Sequence, residues 1–497
     1  MYSVRNEWKE RGVVVAVKHR IETQEMDTQI ALPVQGTAGL QVVIGTAPIN
    51  LAENPSEVVN KPVIAYSFAE AQRQLGYSDD FKNYSLCQSM DASFRIFSIA
   101  PIIFINVLDP EKHKKEYTQE GITVSGKIAT IEAAGLMMDS LEIKDQENNT
   151  LNADEDYMAV FNASGGVDVT LLSTDKTVSV TLLSVTGMQL DPSKVSEEDI
   201  IGGYDVKTGK ETGLELIRQV YSRFHFPPGL IIAPGWSHKP AVAAVMCAKT
   251  EGINAVFCCE TAIDMDAELT KVYTDLPEAK EEMAVNNHHA ILLWPKLRLG
   301  KKVYAFSAVW AAMTAYTDAR NGDVPVKSPS NELLGVSATV LEDGTEVLLD
   351  TLMAESVNAA GIVTAINDGG WKAWGNYTAA YMKTSDPKDQ WIACRRMMSW
   401  YRNHFILTFK SKVDDPLSNV LIESIVDGEN LYLNSLTATG DIAGGMITYD
   451  EAENPIESIL EGKIIFRTKI AFWTPAQYIL NKIEFDPTIL KTALGVE

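Results

Sequence analysis

A serine beside a histidine is the first combination in this sequence that could do chemistry. Ser237 directly precedes His238 and follows Gly235 by two residues. A nucleophile elbow needs glycine on both sides of the serine so that the chain can turn sharply, and the second glycine is missing. We therefore predict no catalytic residue here, and we expect Ser237 to accept a backbone N–H at the start of the following helix.

Histidine and acidic clusters could instead bind a metal ion. His288 and His289 are adjacent, whereas a zinc-binding helix places its two histidines four residues apart. The acidic stretch from Asp264 to Glu268 continues with Leu269 at a position where a calcium-binding loop has glycine. Because neither spacing fits, the sequence predicts no metal site.

A glycine-rich turn could bind the phosphates of a nucleotide through free backbone N–H groups. Gly203 and Gly209 are separated by five residues where a P-loop has four, and Glu211 stands where that loop has the serine or threonine that binds magnesium. The turn after Ala233 contains Gly235 and no further glycine. We predict no cofactor. A nucleotide-dependent α/β enzyme of unknown substrate remains the alternative function.

The composition limits the partners of the protein. The 497 residues include 66 acidic and 43 basic side chains, which gives a formal net charge of −23. A surface this acidic repels phosphate backbones and anionic lipid headgroups, so we predict neither nucleic acid nor membrane as a partner. Apolar runs such as Ala290–Trp294 are far shorter than the roughly 18 residues of a membrane span. The five cysteines lack CxxC spacing, and we expect buried thiols.

The elements that would position these residues change in type along the chain. Alternating strands and helices between residues 229 and 294 indicate a sheet of parallel character that is covered on both faces. The predicted order is strand Gly229–Ala233, helix Pro240–Lys249, strand Asn254–Cys259, helix Ala267–Ala284 and strand Ala290–Trp294. The predicted fold class is α/β, in the mixed α+β sense, with several domains.

Two zones before this core have other patterns. Near the start, strands at Leu40–Ala47 and Pro101–Leu108 enclose a helix at Phe68–Leu75. Between about residues 121 and 190, short β-branched segments alternate with the turn pairs Asn148–Asn149 and Gly165–Gly166. The second pattern indicates a small all-β insertion domain.

The C-terminal zone begins near Gly361. Its apolar pattern predicts a strand at Ile362–Ile366 and helices at Gln390–Lys412 and Asn419–Asn434. Two half-buried strands with alternating apolar residues follow. These residues are Phe466, Ile470 and Phe472 in the first strand, and Ile479, Ile483 and Phe485 in the second.

Basic residues are concentrated in a few places of the acidic chain. Residues 1–20 carry five cations against two acids, and residues 463–482 carry four cations and no acid. Both ends are therefore predicted to be basic, strand-like arms on an acidic body, with pairing of these strands inside their own domain as the alternative. The predicted helix from Gln390 carries five cations that face no acid: Arg395, Arg396, Arg402, Lys410 and Lys412. This surplus favours an acidic partner over the alternative, an ordinary solvated helix face.

Five blocks of the sequence occur in an order that is typical of one family. They are Gly12–Val15, Gly45–Pro48, Pro227–Gly235, Ser328–Asn331 with the following Gly335, and Gly361–Thr378. Together they resemble contractile tail sheath proteins, in particular the sheaths of P2-like phages and R-type bacteriocins. Two features depart from the family pattern: Tyr377 replaces a common arginine, and the β insertion lengthens the chain.

The resemblance implies a structural protein without enzymatic activity or cofactor. Such a subunit polymerises with itself as stacked hexameric rings around a tail tube, and contraction drives the tube through the target cell envelope. The implied partners are the tail tube protein and the baseplate and tail terminator proteins. The implied location is a virion tail or a bacteriocin particle, assembled in the bacterial cytoplasm. The length of the chain disfavours a tube or capsid protein.

The changes of pattern along the chain, together with the resemblance, predict a division into segments. These are an N-terminal arm (1–25), the first part of the sheath core (26–120), the β-rich insertion domain (121–190), a central α/β domain (191–360), a C-terminal polymerising domain (361–462), and a C-terminal strand and arm (463–497).

Residue roles follow from the same resemblance. The arm strands that would join neighbouring subunits contain Val13, Val15 and Val17, and Phe466, Ile470 and Phe472. The residues that would contact the tube or an acidic neighbour are Arg395, Arg396 and Arg402. The residues expected to be structural, as a tight turn packed by aromatic side chains, are Trp371, Trp374, Gly375, Asn376, Ser330 and Asn331.

Overall fold

An eight-stranded sheet forms the centre of the protein in the computed structural model, which describes residues 34–495. The strand order is Trp371–Trp374, Ile362–Asn367, Ala290–Leu293, Glu260–Asp264, Leu230–Ile232, Gln41–Gly45, Ile102–Asn106 and Pro62–Ala65. The six inner strands are parallel, and each outer strand is antiparallel to its neighbour. The predicted mixed α/β character is confirmed.

Continuous apolar runs explain why this sheet lies in the interior. Every residue of Gln41–Gly45, Ile102–Asn106 and Ala290–Leu293 is buried, as expected for parallel strands that are covered on both faces. Helix Phe306–Arg320 is itself buried around most of its circumference, which places it in the core. The other helices of this region are Phe68–Leu75, Leu86–Met90, Glu197–Ile201, Gln219–Phe224, Pro240–Ala248, Leu276–Met283 and Thr351–Ala359.

One predicted strand of the core is displaced. The residues Asn254–Cys259 form a loop, and the strand begins at Glu260. Asn254 and Ala255 have φ values of 53° and 68°, which an extended strand does not accommodate, so this prediction was wrong.

One predicted helix of the core is shorter than expected. Of the predicted range Ala267–Ala284, a 3-10 turn covers Tyr273–Asp275 and an α-helix covers Leu276–Met283. Pro277 lies in the first turn of that helix. Since a proline is tolerated there but not in a helix interior, the helix begins just before it.

Residues 114–190 form two antiparallel sheets with a hydrophobic core of their own. The four-stranded sheet has the order Lys114–Thr123, Leu182–Leu190, Glu142–Asp145 and Thr150–Leu151. The three-stranded sheet has the order Tyr157–Phe161, Val167–Leu171 and Ile128–Ile131. Ile131, Ile143 and Val185 are fully buried in this core, which is separate from the core around the central sheet.

The C-terminal region consists of two long helices and a small sheet. Helix Ile392–Phe409 is followed by helix Asn419–Thr439, which Ser418 caps and Gly440 ends with a φ of 86°. The strands Gly444–Tyr449 and Phe466–Ala471 pair antiparallel. A third cluster, which contains Met397, Tyr401, Leu433 and Leu436, packs these elements together.

Shorter elements connect these regions. The remaining strands are Val34–Gln35 with Ile99–Ala100, Gly203–Asp205 with Lys210–Thr212, and the sheet of Lys302–Tyr304, Lys296–Leu299 and Ala338–Val340. The remaining α-helices are Pro387–Gln390, Ile456–Leu460 and Pro487–Ala493, and a π-helix covers Asp91–Ile96. Among the helices described, none combines the length and the apolar character that a membrane span would require.

The central sheet crosses the predicted segment boundaries. Its strands come from residues 41–106, 230–293 and 362–374, which belong to three predicted segments (26–120, 191–360 and 361–462). These parts share one hydrophobic core, so the central α/β domain is not confined to residues 191–360.

Candidate assembly surface

The two sequence blocks expected to be structural lie against each other. Ser330 Oγ accepts a hydrogen bond from the N–H of Gly375 over 3.0 Å. The N–H of Asn331 donates to the carbonyl of Ala373 over 2.7 Å. Both blocks therefore support the outermost strand of the central sheet, Trp371–Trp374.

Glycine and the aromatic side chains fix this turn. Gly375 has a φ of 144°, and a Cβ there would lie 2.8 Å from Nδ2 of Asn358, so only glycine fits. Trp371 Nε1 donates to the carbonyl of Ser337 over 2.9 Å. Ser328 Oγ donates to Oδ1 of Asn376 over 2.5 Å. These contacts are internal to the fold, and the structural role of the motif stays a prediction.

Two of the arginines predicted as partner contacts are buried on helix Ile392–Phe409. Arg396 is 3% exposed and forms a bidentate ion pair with Asp318, with one N–O distance of 3.0 Å. Arg395 is 4% exposed and pairs with Asp389 over 3.1 Å. The prediction that these cations are unpaired was wrong, because Asp318 comes from the buried helix and Asp389 lies just before the range considered.

Arg402 differs from the two buried arginines. Its side chain is 43% exposed and lies 3.4 Å from Glu251, which is also exposed. Such a pair contributes little to stability. Further along the helix, Lys410 lies over the ring of Tyr221 and Lys412 pairs with Asp415. Of the three arginines, Arg402 is the one that a partner could reach.

The small C-terminal sheet has one edge closed by a side chain. Ile447, in the strand Gly444–Tyr449, lies opposite Thr468. The N–H of Ile447 donates to Oδ1 of Asn430, and its carbonyl accepts from Nδ2 of the same side chain, both over 3.0 Å. Since these groups point away from the other strand, Ile447 and Thr468 form a non-hydrogen-bonded pair.

The other edge of this sheet is open. Because the pairing alternates, Phe466, Thr468 and Ile470 direct their backbone groups outward. No strand within residues 34–495 pairs with that edge. Asn454 binds both backbone groups of Ile465, over 2.7 and 2.9 Å, but these groups lie on the inner side of the strand, so Asn454 does not cover the outer edge. A bare strand edge is a template for a strand from another chain.

The predicted arm strand at the C-terminus is thus already paired on one side. Phe466 and Ile470 lie in the strand that pairs with Gly444–Tyr449, and Phe472 follows that strand. Ile470 and Phe472 pack on the C-terminal cluster. Their contact with a neighbouring subunit stays a prediction. Val13, Val15 and Val17 lie outside the described residues, so their role also stays a prediction.

The chain beyond Ala471 first lies along the body and then leaves it. Trp473 Nε1 donates to the carbonyl of Gly440 over 3.0 Å, and Gln477 Nε2 donates to the hydroxyl of Tyr377 over 3.1 Å. The following apolar side chains are all exposed: Tyr478, Ile479, Leu480, Ile483, Phe485, Ile489, Leu490 and Leu494. We call this part the C-terminal extension (Tyr478–Leu494). Exposed apolar surface of this size marks an interaction site.

The second predicted C-terminal strand is not formed. Residues 478–486, which include Ile479, Ile483 and Phe485, have no regular secondary structure, and helix Pro487–Ala493 follows. Their alternation has no partner strand among the described residues. A single strand without a neighbour gains no ladder hydrogen bonds.

The serine considered as a nucleophile makes structural contacts. Ser237 Oγ donates to Oδ2 of Asp264 and accepts from its N–H, both over 3.0 Å. It does not cap helix Pro240–Ala248, so the capping prediction was wrong. Burial raises the pKa of Asp264, whose carboxylate also accepts from Ser307.

The glycines and cysteines that were candidates for chemistry also have structural positions. Gly203 and Gly209 belong to a β-hairpin rather than to a strand–helix turn. The cysteines are free, and all except the half-buried Cys247 are buried. Burial raises the pKa of Cys87 to about 12, which makes this thiol unreactive at neutral pH.

Two solved structures share this fold. A chain of the anti-feeding prophage baseplate is 15% identical and aligns with a TM-score of 0.57, covering 95% of this chain and 100% of that chain. A chain of the PVC sheath complex, an extracellular contractile injection system in its contracted state, is 14% identical with a TM-score of 0.55, covering 96% and 100%.

Sequence relatives cover from about half to nearly the whole of the chain. No protein-family profile matches the chain. The tail sheath protein of Escherichia phage P2 is 25% identical over 54% of this chain and 65% of its own length. The tail sheath protein of Burkholderia phage BcepMu is 23% identical over 96% of this chain and 98% of its own length. The chain belongs to the contractile tail sheath family.

This sheath protein is a structural subunit of a phage tail or contractile injection particle, and its function is not enzymatic. The family and function predicted from the five sequence blocks are confirmed. The nucleotide-dependent enzyme that stood as the alternative is excluded by the same relationship.

Sequence reasoning missed the two asparagines of this sheath protein whose side chains bind backbone groups at the small C-terminal sheet. Asn430 lies in the middle of helix Asn419–Thr439, and Asn454 lies in a short turn region. Asparagine in either place has no pattern that indicates a partner. Only the fold brings each amide next to a strand, so no sequence signal could have identified them.

Proposed function

We propose that this sheath protein assembles with further copies of itself as stacked rings of six around a tail tube, and that contraction drives the tube through a target envelope. The observation that carries the proposal is the open edge of Phe466–Ala471 together with the exposed C-terminal extension. The two similar structures belong to a baseplate and to a contracted sheath complex. This supports a tail tube protein, a baseplate and a tail terminator as further partners.

Strand addition suits a lattice that must change shape without coming apart. Main-chain hydrogen bonds to Phe466, Thr468 and Ile470 keep their geometry while the bodies of the subunits rotate. An arm from a neighbouring subunit would supply the added strand, and the β-branched residues Val13, Val15 and Val17 make the N-terminal arm a suitable source.

The C-terminal extension would add apolar contacts to this joint. Burial of a large apolar side chain contributes about 1.5 to 3 kcal/mol. The extension carries eight such side chains, all exposed in the subunit. Formation of such contacts between subunits releases free energy during assembly and contraction, and no nucleotide is needed for it.

Each remaining segment of the chain has a proposed role in the assembly. Residues 1–25 and 463–497 form the arms, and residues 361–462 with the small C-terminal sheet form the polymerising part. The insertion at 121–190, with its own core, would decorate the assembly. Arg402 would contact the tube or an acidic neighbour. Arg395 and Arg396 are not part of this contact, since both are buried in ion pairs.

A truncation that removes residues 478–497 tests the proposal. The apolar side chains of the extension are exposed, so we expect the truncated protein to unfold at the same temperature as the full chain. We also expect the striated cylinders formed by the full chain to disappear in negative-stain electron microscopy. Deletion of residues 1–20 should likewise leave a folded subunit that does not assemble.

A matched control keeps the apolar side chains and changes the polar ones between them. Lys482→Ala with Glu484→Ala removes two exposed charges of opposite sign from the same segment. This variant should form cylinders of normal length. Cylinders of normal length from the 478–497 truncation would refute the role of the extension.

A further inference from the structure

Three side chains with metal-binding atoms meet beside the central sheet. The ligand atoms of Glu251, His288 and His289 all lie within 4.8 Å of one another. Glu251 follows helix Pro240–Ala248, and the two histidines directly precede strand Ala290–Leu293. Adjacent histidines do not share a helix face, which is why the sequence spacing gave no sign of this cluster.

His289 is held rigidly by its backbone. Its N–H donates to Oδ1 of Asn287 over 2.7 Å, and its carbonyl accepts from the N–H of Thr261 over 2.8 Å. The side chain is completely buried. A ligand on a strand end that is fixed in this way has little conformational freedom to lose on binding.

The two ring nitrogens of His289 have different surroundings. Nδ1 lies 3.4 Å from Oε1 of Glu260, which also accepts from Ser399 Oγ over 2.6 Å. Nε2 is buried and makes no hydrogen bond with any described residue, although Oε1 of Glu251 is 3.3 Å away. The buried carboxylate of Glu260 favours the tautomer with the proton on Nδ1, so the lone pair of Nε2 points into the cluster.

The other two ligands face solvent. His288 is half-buried, with its ring 4.5 Å from that of His289, and Glu251 is exposed. An ion can therefore reach the cluster from the side of Glu251 and meet two imidazole rings and one carboxylate.

We propose that Glu251, His288 and His289 bind one Zn²⁺ ion, with water in the fourth position. Two histidines and one carboxylate are a ligand set that zinc accepts in tetrahedral geometry. The pairing of His289 with a buried carboxylate on its far side is the outer-shell arrangement that metal-binding histidines use. The site does not depend on the proposed assembly.

Arg402 competes with the ion for Glu251. Its Nη1 lies 3.4 Å from Oε1 of Glu251, and its side chain is 43% exposed. Binding of Zn²⁺ to Glu251 would displace the guanidinium into solvent. Removal of this arginine should therefore leave zinc affinity unchanged or increase it, whereas removal of a ligand should decrease it.

Isothermal titration of the full chain with Zn²⁺, after treatment with a chelator, tests the site. We expect one ion per subunit. His288→Gln and Glu251→Gln change exposed or half-buried side chains, so both variants should fold, and each should weaken binding by about tenfold or more. Arg402→Gln should bind at least as tightly as the unchanged protein. Co²⁺ in place of Zn²⁺ should show the strong visible absorption of tetrahedral coordination.

Two variants outside the cluster serve as controls. His238→Gln removes a half-buried histidine, and Glu278→Gln removes an exposed carboxylate from helix Leu276–Met283. Both should retain the stoichiometry and affinity of the unchanged protein. Zinc binding that survives His288→Gln and Glu251→Gln, or that is lost equally in the controls, would overturn the proposed site, as would the absence of binding to the unchanged protein.

Discussion

The central sheet has short or covered edges, whereas the small C-terminal sheet has an open edge. The outer strands of the central sheet, Pro62–Ala65 and Trp371–Trp374, are only four residues long. One begins with proline, and a bridge from Leu333 to Lys372 covers the other. The small sheet leaves Phe466–Ala471 open beside an exposed extension. Short or covered edges prevent pairing with a strand of another chain, whereas an open edge allows it.

This difference separates the residues that hold the subunit together from those available for assembly. Substitutions in the first group should change stability, and substitutions in the second should change assembly alone. Helix Ile392–Phe409 connects the two regions, because Arg396 on this helix pairs with Asp318 on the buried helix Phe306–Arg320.

The largest effect on stability is expected from Arg396→Met. It leaves Asp318, which is 1% exposed, as an unpaired buried charge. Loss of one partner of a buried pair costs about 3 to 5 kcal/mol. The free energy of unfolding in urea measures this loss. Arg402→Met, on the exposed side of the same helix, is the matched control and should change stability by less than about 1 kcal/mol. Equal losses in both variants would contradict the assignment.

Adjacent proline substitutions test which strand edge is open. The N–H of Lys469 points to the strand Gly444–Tyr449, so Lys469→Pro should remove a ladder hydrogen bond and lower stability by about 1 to 3 kcal/mol. The N–H of Thr468 points outward, so Thr468→Pro should lower stability by less than about 1 kcal/mol and should block assembly.

Thermal unfolding and electron microscopy distinguish the two proline variants. The more stable variant, Thr468→Pro, should be the one whose folded subunits form no cylinders. If Thr468→Pro assembled normally, the outward groups of Phe466–Ala471 would not be the site of strand addition.

The sequence predicted those parts of the fold that depend on local pattern. The strands Gln41–Gly45, Ile102–Asn106, Ala290–Leu293 and Ile362–Asn367 lie within one or two residues of their predicted ranges, because parallel strands that are buried on both faces are short, continuous apolar runs. Helix Phe306–Arg320 was missed. It is apolar on every side, so it lacks the amphipathic period that identifies a helix.

Partners that come from distant parts of the chain could not be predicted. Nothing in the sequence near Arg396 indicates Asp318 as its partner, and nothing near His289 indicates Glu251. Charge counting therefore assigned buried, paired arginines to a surface contact. The open edge was equally hidden, since it depends on Asn430 reaching Ile447 from a helix.

The smallest effect is expected from Glu429→Gln, beside the small sheet. Glu429 is 1% exposed, and neither carboxylate oxygen has a hydrogen-bond partner of good geometry among the described residues. Burial raises the pKa of Glu429, and the nearby hydroxyl of Tyr401 opposes part of this shift. The folded protein thus holds this proton more tightly than the unfolded chain does.

A raised carboxyl pKa gives the sign of the pH dependence. The stability that Glu429 contributes is fully present below the pKa of an unfolded glutamate, and it is lost as the pH rises through the folded value. Glutamine does not ionise, so its variant does not lose stability as the pH rises. Glu429→Gln should therefore be more stable than the unchanged protein by about 1 kcal/mol at neutral pH and no more stable near pH 4. Thermal unfolding from pH 4 to 8 measures this difference. A stability gain that does not depend on pH would show that the carboxyl group of Glu429 is not the titrating group.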